Sequence, residues 1–220
     1  MNKKEPGKTE YLDHPERKAN LAPYIPNGVV SIDDLLEMAE TLKKEGAKNV
    51  KLGGELIFVW EGNHLPAGIK ERIRWDANDF KASAVRPVKT CSAETFCQRF
   101  RQPVLSLAKK IDEKFKGIHL PVKVVIGIAG CQRSCSEPGT KDIGIRGNPR
   151  GYEIMVGGSG GMNPTIAQSI GTYPDEKSVL KVIERTIEYM KQKDRKSIRL
   201  GKVIEKDGMD DYLAFINSAG

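Results

Sequence analysis

The chain predicts an α+β (α/β) fold, a mixed sheet backed by helices, on three observations. Helical and strand-like periodicities alternate along it, with no tandem repeat. Residues 122–129 form a nearly all-apolar run, the composition of a strand covered on both faces. With 39% apolar and 30% charged residues over 220 positions, the chain can build a core and is no disordered tail.

The elements follow in order. Residues 1–26 are rich in Lys and Pro (Pro6, Pro15, Pro23, Pro26) without period and read as an extended arm. Ser31 opens a helix: Asp34 is its capping-box partner, and Ile32, Leu35, Leu36, Ala39 and Leu42 recur at helical spacing until Gly46 ends it. Two short strands, 48–52 and 56–60, flank the Gly53-Gly54 break. Residues 82–90 read as extended. A helix over 93–116 carries the apolar stripe Val104, Leu107, Ala108, Ile111 and Phe115, with a kink expected at Pro103. Strands at 122–129, 142–146 and 152–156 lead into Gly157-Gly-Ser-Gly-Gly161, and a helix at 175–192 precedes a final helical segment.

Charge and length exclude several classes. No apolar run approaches the ~18 residues a membrane helix needs, and no apolar stretch follows Met1, so a soluble cytoplasmic protein is expected. A net charge of +7 favours encounters with anions: nucleic acid, oxyanions, anionic cofactors or an acidic protein. Aromatics are only 6% and no nucleic-acid-binding signature is present, so no nucleic-acid partner is expected. The glycine-rich turn matches neither the P-loop nor the dinucleotide fingerprint, which leaves ATP and NAD without support. It has the backbone freedom to wrap a cofactor edge or an anion. His14, His64 and His119 lack ligand spacing.

The cysteines carry the chemistry. Cys91 and Cys97 are spaced C-x5-C, Cys131 and Cys135 C-x3-C, and both pairs stand where a strand ends. Disulfides suit neither a reducing compartment nor a chain of this size. Structural zinc fits the five-residue gap badly. Four thiolates suit an iron–sulfur cube, and Gly130 with the small polar residues of Cys131-Gln-Arg-Ser-Cys135 lets backbone approach a bulky cofactor. Four unrelated buried cysteines are the bland alternative.

Thr90-Cys91-Ser-Ala-Glu-Thr-Phe-Cys97, Leu120-Pro-Val-Lys123, Gly130-Cys131-Gln-Arg-Ser-Cys135, Asp142-Ile-Gly144 and Val156-Gly-Gly158 occur in that order. Over residues 28–195 this resembles the sirohaem and [4Fe-4S] domain of the sulfite and nitrite reductase family, most of all the small single-half sulfite reductases of anaerobes. The resemblance implies that Cys91, Cys97 and Cys131 hold a [4Fe-4S] cluster and that Cys135 also bridges to the iron of a sirohaem. It implies Arg86 and Lys123 as catalytic residues that bind the anion's oxygens and help deliver protons. Arg133, Lys141 and Arg146 would meet sirohaem carboxylates, and Gly157 and Gly158 would border the cofactor. It further implies a ferredoxin-like lobe at 28–80 after an N-terminal arm at 1–27, then a cluster- and sirohaem-binding domain at 81–220. The implied activity is reduction of sulfite to sulfide, or of nitrite to ammonia, with electrons from a small acidic ferredoxin-like carrier. A homo-oligomer would stand in for the missing second half. The alternative is a non-catalytic cofactor-binding module for electron transfer, sirohaem handling or sensing. Two positions depart from the pattern. Lys51-Leu-Gly-Gly-Glu55 places a carboxylate where the family carries a substrate-binding arginine. Val125 likewise replaces the second lysine of a Lys-x-Lys pair.

Overall fold

A computed structural model describes residues 18–78 and 83–218. They divide into two compact units, one of residues 18–25 and 29–78, the other of 26–28 and 83–218.

In the first unit the chain runs β1 (Asn20–Leu21), α1 (Ile32–Lys44), β2 (Asn49–Lys51), β3 (Ile57–Val59) and a short α2 (Ile69–Arg72). The sheet order is β1-β3-β2, antiparallel throughout. α1 begins as its sequence dictates: Ser31 Oγ accepts the Asp34 amide proton at 3.0 Å, which satisfies one of the first-turn donors. It ends at Glu45, followed by Gly46 in the left-handed region. Met38 and Leu42 point from α1 onto the sheet and pack with Leu21, Phe58 and Trp60. β1 belongs to the stretch expected as an arm. That stretch is a sheet strand because Leu21 buries itself in this core and pairs with Phe58. The remainder of the expected arm, residues 1–17, lies outside the described residues, as do residues 79–82.

The second unit contains β4 (Lys89–Thr90), α3 (Ala93–Phe96), α4 (Leu105–Phe115), β5 (Ile126–Ala129), β6 (Ile143–Asn148), β7 (Gly151–Val156), β8 (Gln168–Tyr173), α5 (Glu176–Lys193), α6 (Leu200–Asp207) and α7 (Met209–Asn217). Its five strands lie in the order β4-β5-β6-β7-β8. β4, β5 and β6 are mutually parallel, whereas β7 and β8 are antiparallel additions, so the sheet is mixed. Side chains alternate across a strand. One face therefore carries Ile126, Ile128, Ile143, Ile145, Ile154 and Val156, packed with Leu107 and Ile111 of α4 and Val179 and Ile183 of α5. The other face carries the paired glycines Gly127 and Gly144.

Three expectations need correction. The helix over 93–116 is two helices, because residues 97–103 leave the helical path: the Arg101 and Gln102 amides donate to the Gly130 carbonyl at 2.7 and 3.1 Å. β8 gave no sequence signal, being polar, largely exposed and paired to β7 through an irregular register. The final helical segment is split at Gly208 into α6 and α7.

Candidate metal centre

Cys91 directly follows β4, whose last residue, Thr90, pairs with Ile128 of β5. The Cys91 amide donates to the Ile128 carbonyl at 3.2 Å, and the Gly130 amide donates to Cys91 Sγ at 3.3 Å. Cys131 is the next residue. One thiol from each pair thus stands at the carboxyl ends of adjacent parallel strands, where open α/β sheets place their sites.

Cys97 closes α3, its amide donating to the Ala93 carbonyl at 2.9 Å. From there the chain returns to Gly130 through the Arg101 and Gln102 amides. The Glu94 carboxylate anchors this loop to α4, one oxygen accepting the Val104 amide at 3.0 Å and the other the Leu105 amide at 2.9 Å. Glu94 was missed by sequence reasoning because a side chain capping a helix eleven residues downstream leaves no local pattern.

The Cys131–Cys135 loop passes through left-handed Ser134 and then left-handed Glu137, and Ser136 Oγ donates to the Ile128 carbonyl at 2.7 Å. Residues 136–141 then lie over the glycine face of the sheet. A Cβ on Gly144 would stand 2.2 Å from the Pro138 carbonyl oxygen, and one on Gly127 would meet Lys141 Cγ at 2.8 Å. At Gly144 only glycine admits backbone this close.

All four cysteines are free thiols; Cys91, Cys97 and Cys131 are half-buried and Cys135 is exposed. Among the described residues no three His, Cys, Asp or Glu side chains converge around a point that a single metal ion would occupy. An iron–sulfur cube makes a different demand, since each of its four thiolates goes to a different iron. Thiol-only chemistry, the strand ends that bring Cys91 beside Gly130-Cys131, and an amide already donating to a sulfur fit such a group.

The basic residues are placed less uniformly. Arg86 is half-buried; Lys123 and Arg133 are exposed. Lys141 lays its stem along the sheet, its Nζ 2.9 Å from Thr140 Oγ1 and 3.5 Å from Glu137. Arg146 is ion-paired with Glu153 at 2.9 Å, so its charge already has a counter-ion. Burial pushes the Glu153 carboxyl up, but hydrogen bonds from Ser169, Gln132 and Arg146 outweigh it and hold the group below its ordinary value.

Gly157 and Gly158 line a pocket of about 900 Å³ with Ile166, Arg199, Lys202 and Ile204. It opens beside the first residue of β6 and the last of β7, the end of the sheet away from Cys91 and Cys131. At its edge Asp142, fully buried, accepts Arg199 Nε at 2.7 Å and Nη2 at 2.5 Å, as well as the Val125 amide at 2.8 Å. Burial raises the Asp142 carboxyl above its ordinary value, and the Arg199 contacts offset only part of that. Asp142 was legible as part of a motif; its partner, 57 positions away, was not.

The chain is 26% identical over 210 residues to the nitrite reductase [NAD(P)H] of Bacillus subtilis, covering 90% of this chain and 25% of that one. The nitrite reductase (NADH) large subunit of Escherichia coli is 26% identical over 88% of this chain and 24% of its own. The chain thus spans about a quarter of the length of these nitrite reductases. It covers 88% of an assimilatory-type sulfite reductase of Nitratidesulfovibrio vulgaris, at 26% identity over 86% of this chain. Among solved structures, dissimilatory sulfite reductase I superposes with a TM-score of 0.78 at 11% identity, over 92% of this chain and 69% of the other. Mycobacterium tuberculosis NirA gives 0.68 at 16% identity, over 89% and 39%. These two share the mixed fold. No helix among the described residues is long and apolar enough to cross a membrane. The model of the nitrite and sulphite reductase 4Fe-4S domain matches residues 81–219, more than half of the sequence, and the chain belongs to that family.

Proposed function

We propose that the chain binds a [4Fe-4S] cluster through Cys91, Cys97, Cys131 and Cys135 and works beside a sirohaem as a sulfite or nitrite reductase. The observation that carries this reading is the junction at the ends of β4 and β5, where the Gly130 amide donates to Cys91 Sγ one residue before Cys131. Reduction of sulfite to sulfide, or of nitrite to ammonia, consumes six electrons, and the bound cluster and sirohaem would supply that electron relay and the anion-binding iron. Cys135, the exposed thiol, is the one available to a second group. Arg133 and Lys141 would bind carboxylates of the macrocycle, and Arg146 would do so only while shared with Glu153. Gly157 and Gly158 would border the macrocycle on the pocket side. Arg86 and Lys123 would neutralise the oxyanion and pass protons to its departing oxygens. The +7 net charge supports a small acidic electron carrier, such as a ferredoxin, as donor. A second copy of the chain would supply the half that two-fold relatives contain.

Glu55 favours a second reading, a cofactor-binding module that does not reduce the anion. Its carboxylate accepts from Asn78 Nδ2 at 3.2 Å and would repel sulfite from the position where the family places an arginine. Anaerobic purification with optical and EPR spectra, with and without sulfite, tests both readings. Coloured protein whose spectra respond to sulfite, with viologen-driven turnover, is the expected result. Sirohaem bands without sulfite or nitrite turnover would select the module, and a colourless zinc-containing preparation would overturn both. Gel filtration of coloured protein as a monomer would remove the second copy from the scheme.

A further inference from the structure

We infer that Glu94 is a positioning residue for the iron–sulfur centre: its carboxylate clamps the Cys91–Cys97 loop onto the first turn of α4 and sets the environment of the cluster. The inference rests on the cluster reading above and gives a role to a residue that the Cys91–Cys97 motif contains without one.

Three observations carry it. Glu94 is bidentate, with one oxygen on the Val104 amide and the other on the Leu105 amide, so it fixes the loop in direction as well as distance. Val104 flanks α4 without any side-chain cap of its own, and two of the amides at that helix start are met from outside, by Glu94. Its neighbour Ala93 is held at φ +40°, a left-handed conformation disfavoured for alanine, while almost fully buried. Such a backbone persists only where its surroundings over-determine it. Here the restraints are the Glu94 clamp on one side and the Cys97 amide donating to the Ala93 carbonyl on the other. The clamp therefore acts three residues before Cys97 and three after Cys91. A carboxylate at this place also bears on the reduced cluster, because a fixed negative charge nearby disfavours adding an electron.

The test compares wild type, Glu94→Ala and Glu94→Gln as full chains, reconstituted anaerobically with iron and sulfide. Asp175→Ala, which removes the cap that accepts the Ser178 amide at the start of α5, serves as a control for ordinary cap loss. The readouts are bound iron and acid-labile sulfide, the rate of cluster release to a chelator, the EPR spectrum of the reduced protein, and the midpoint potential. Glu94→Ala is expected to release its cluster several-fold faster than wild type. Glu94→Gln, which keeps one acceptor oxygen but loses the charge and sets an NH2 donor against the second amide, should restore retention only in part while raising the potential. Asp175→Ala should leave both unchanged. Equal retention and potential in wild type, Glu94→Ala and Glu94→Gln overturns the inference. Should Glu94→Ala fail to fold, Glu94→Gln decides: an unchanged potential and EPR spectrum overturn the assignment, and a raised potential supports it. Wild type that takes up no iron and sulfide overturns the cluster reading itself, a different outcome from any of these.

Discussion

At Gly144 a single methyl group is enough to test how the second cysteine pair is held. Its Cβ would stand 2.2 Å from the Pro138 carbonyl oxygen and 3.2 Å from Met155 Cε. The first contact is with backbone, so alanine there must lift residues 136–141 off the sheet, and Cys135 lies at the head of that segment. Gly144→Ala is expected to keep the helical signal in circular dichroism and to lose cluster content after reconstitution. A variant with wild-type iron and sulfide would show that Cys135 does not depend on this packing. The cysteines themselves were legible, because two thiol pairs at strand ends are a pattern in one dimension. The surface that seats them was not: Gly127 and Gly144 act through the close approach of residues 136–141 over the sheet, and Glu94 through a helix it does not belong to. Arg146 shows the converse. Read as a free cation, it is paired with Glu153, the residue opposite it on β7, because a cross-strand neighbour cannot be read before the register is known.

Where elements join, electrostatics decides. Asp142, fully buried ahead of β6, and Arg199, partly exposed ahead of α6, form an ion pair that ties the sheet to the C-terminal helices. Removing the cation strands a desolvated carboxylate, at a cost of up to about 3 kcal/mol, the low end for a buried pair because Arg199 is partly solvated. Arg199→Met should lower the urea midpoint accordingly. The sign of its pH dependence follows from linkage. Burial already raises the Asp142 carboxyl, and loss of Arg199 raises it further, so the folded state binds a proton more readily than the unfolded one. The stability deficit of Arg199→Met should therefore shrink as pH falls through that raised value; a constant deficit would mean that Asp142 is not left charged. Asp175 behaves oppositely. The Ser178 amide, then the Ser178 hydroxyl, hold its carboxyl below the ordinary value, so its contribution is complete above that value and is lost as pH falls through the folded one. Asp175→Asn should flatten the acid limb of the denaturation profile. Both helix starts with acid or serine caps, Ser31 and Asp175, place their helices near the sequence expectation. The break between α3 and α4 was only partly legible, since Pro103 marks an interruption while the return to Gly130 that sets its extent is a tertiary contact.

Among the described residues two hydrophobic cores share no residue. One gathers Leu21, Met38, Leu42, Phe58 and Trp60; the other gathers Leu107, Ile111, Ile126, Ile128, Ile145 and Ile183 with their neighbours. Stability that arises from burial is then local to each core, and a cavity in one destabilises the unit that contains it. Leu42 and Ile128 are both fully buried, so truncating either to alanine should cost about 2–5 kcal/mol, the range for large-to-small core substitutions. Hydrogen exchange read by mass spectrometry distinguishes where that cost falls. Leu42→Ala should speed exchange in α1 and β3 while α4, β5, β6 and β7 keep wild-type protection, and Ile128→Ala should do the reverse. The four cysteines all lie in the second unit. Reconstituted cluster content should therefore survive Leu42→Ala and fall in Ile128→Ala, whose side chain is one residue from the Ala129-Gly130-Cys131 junction. Acceleration of exchange across both units by either substitution would mean that the two cores unfold as one, and that the cysteine site draws its stability from the whole chain.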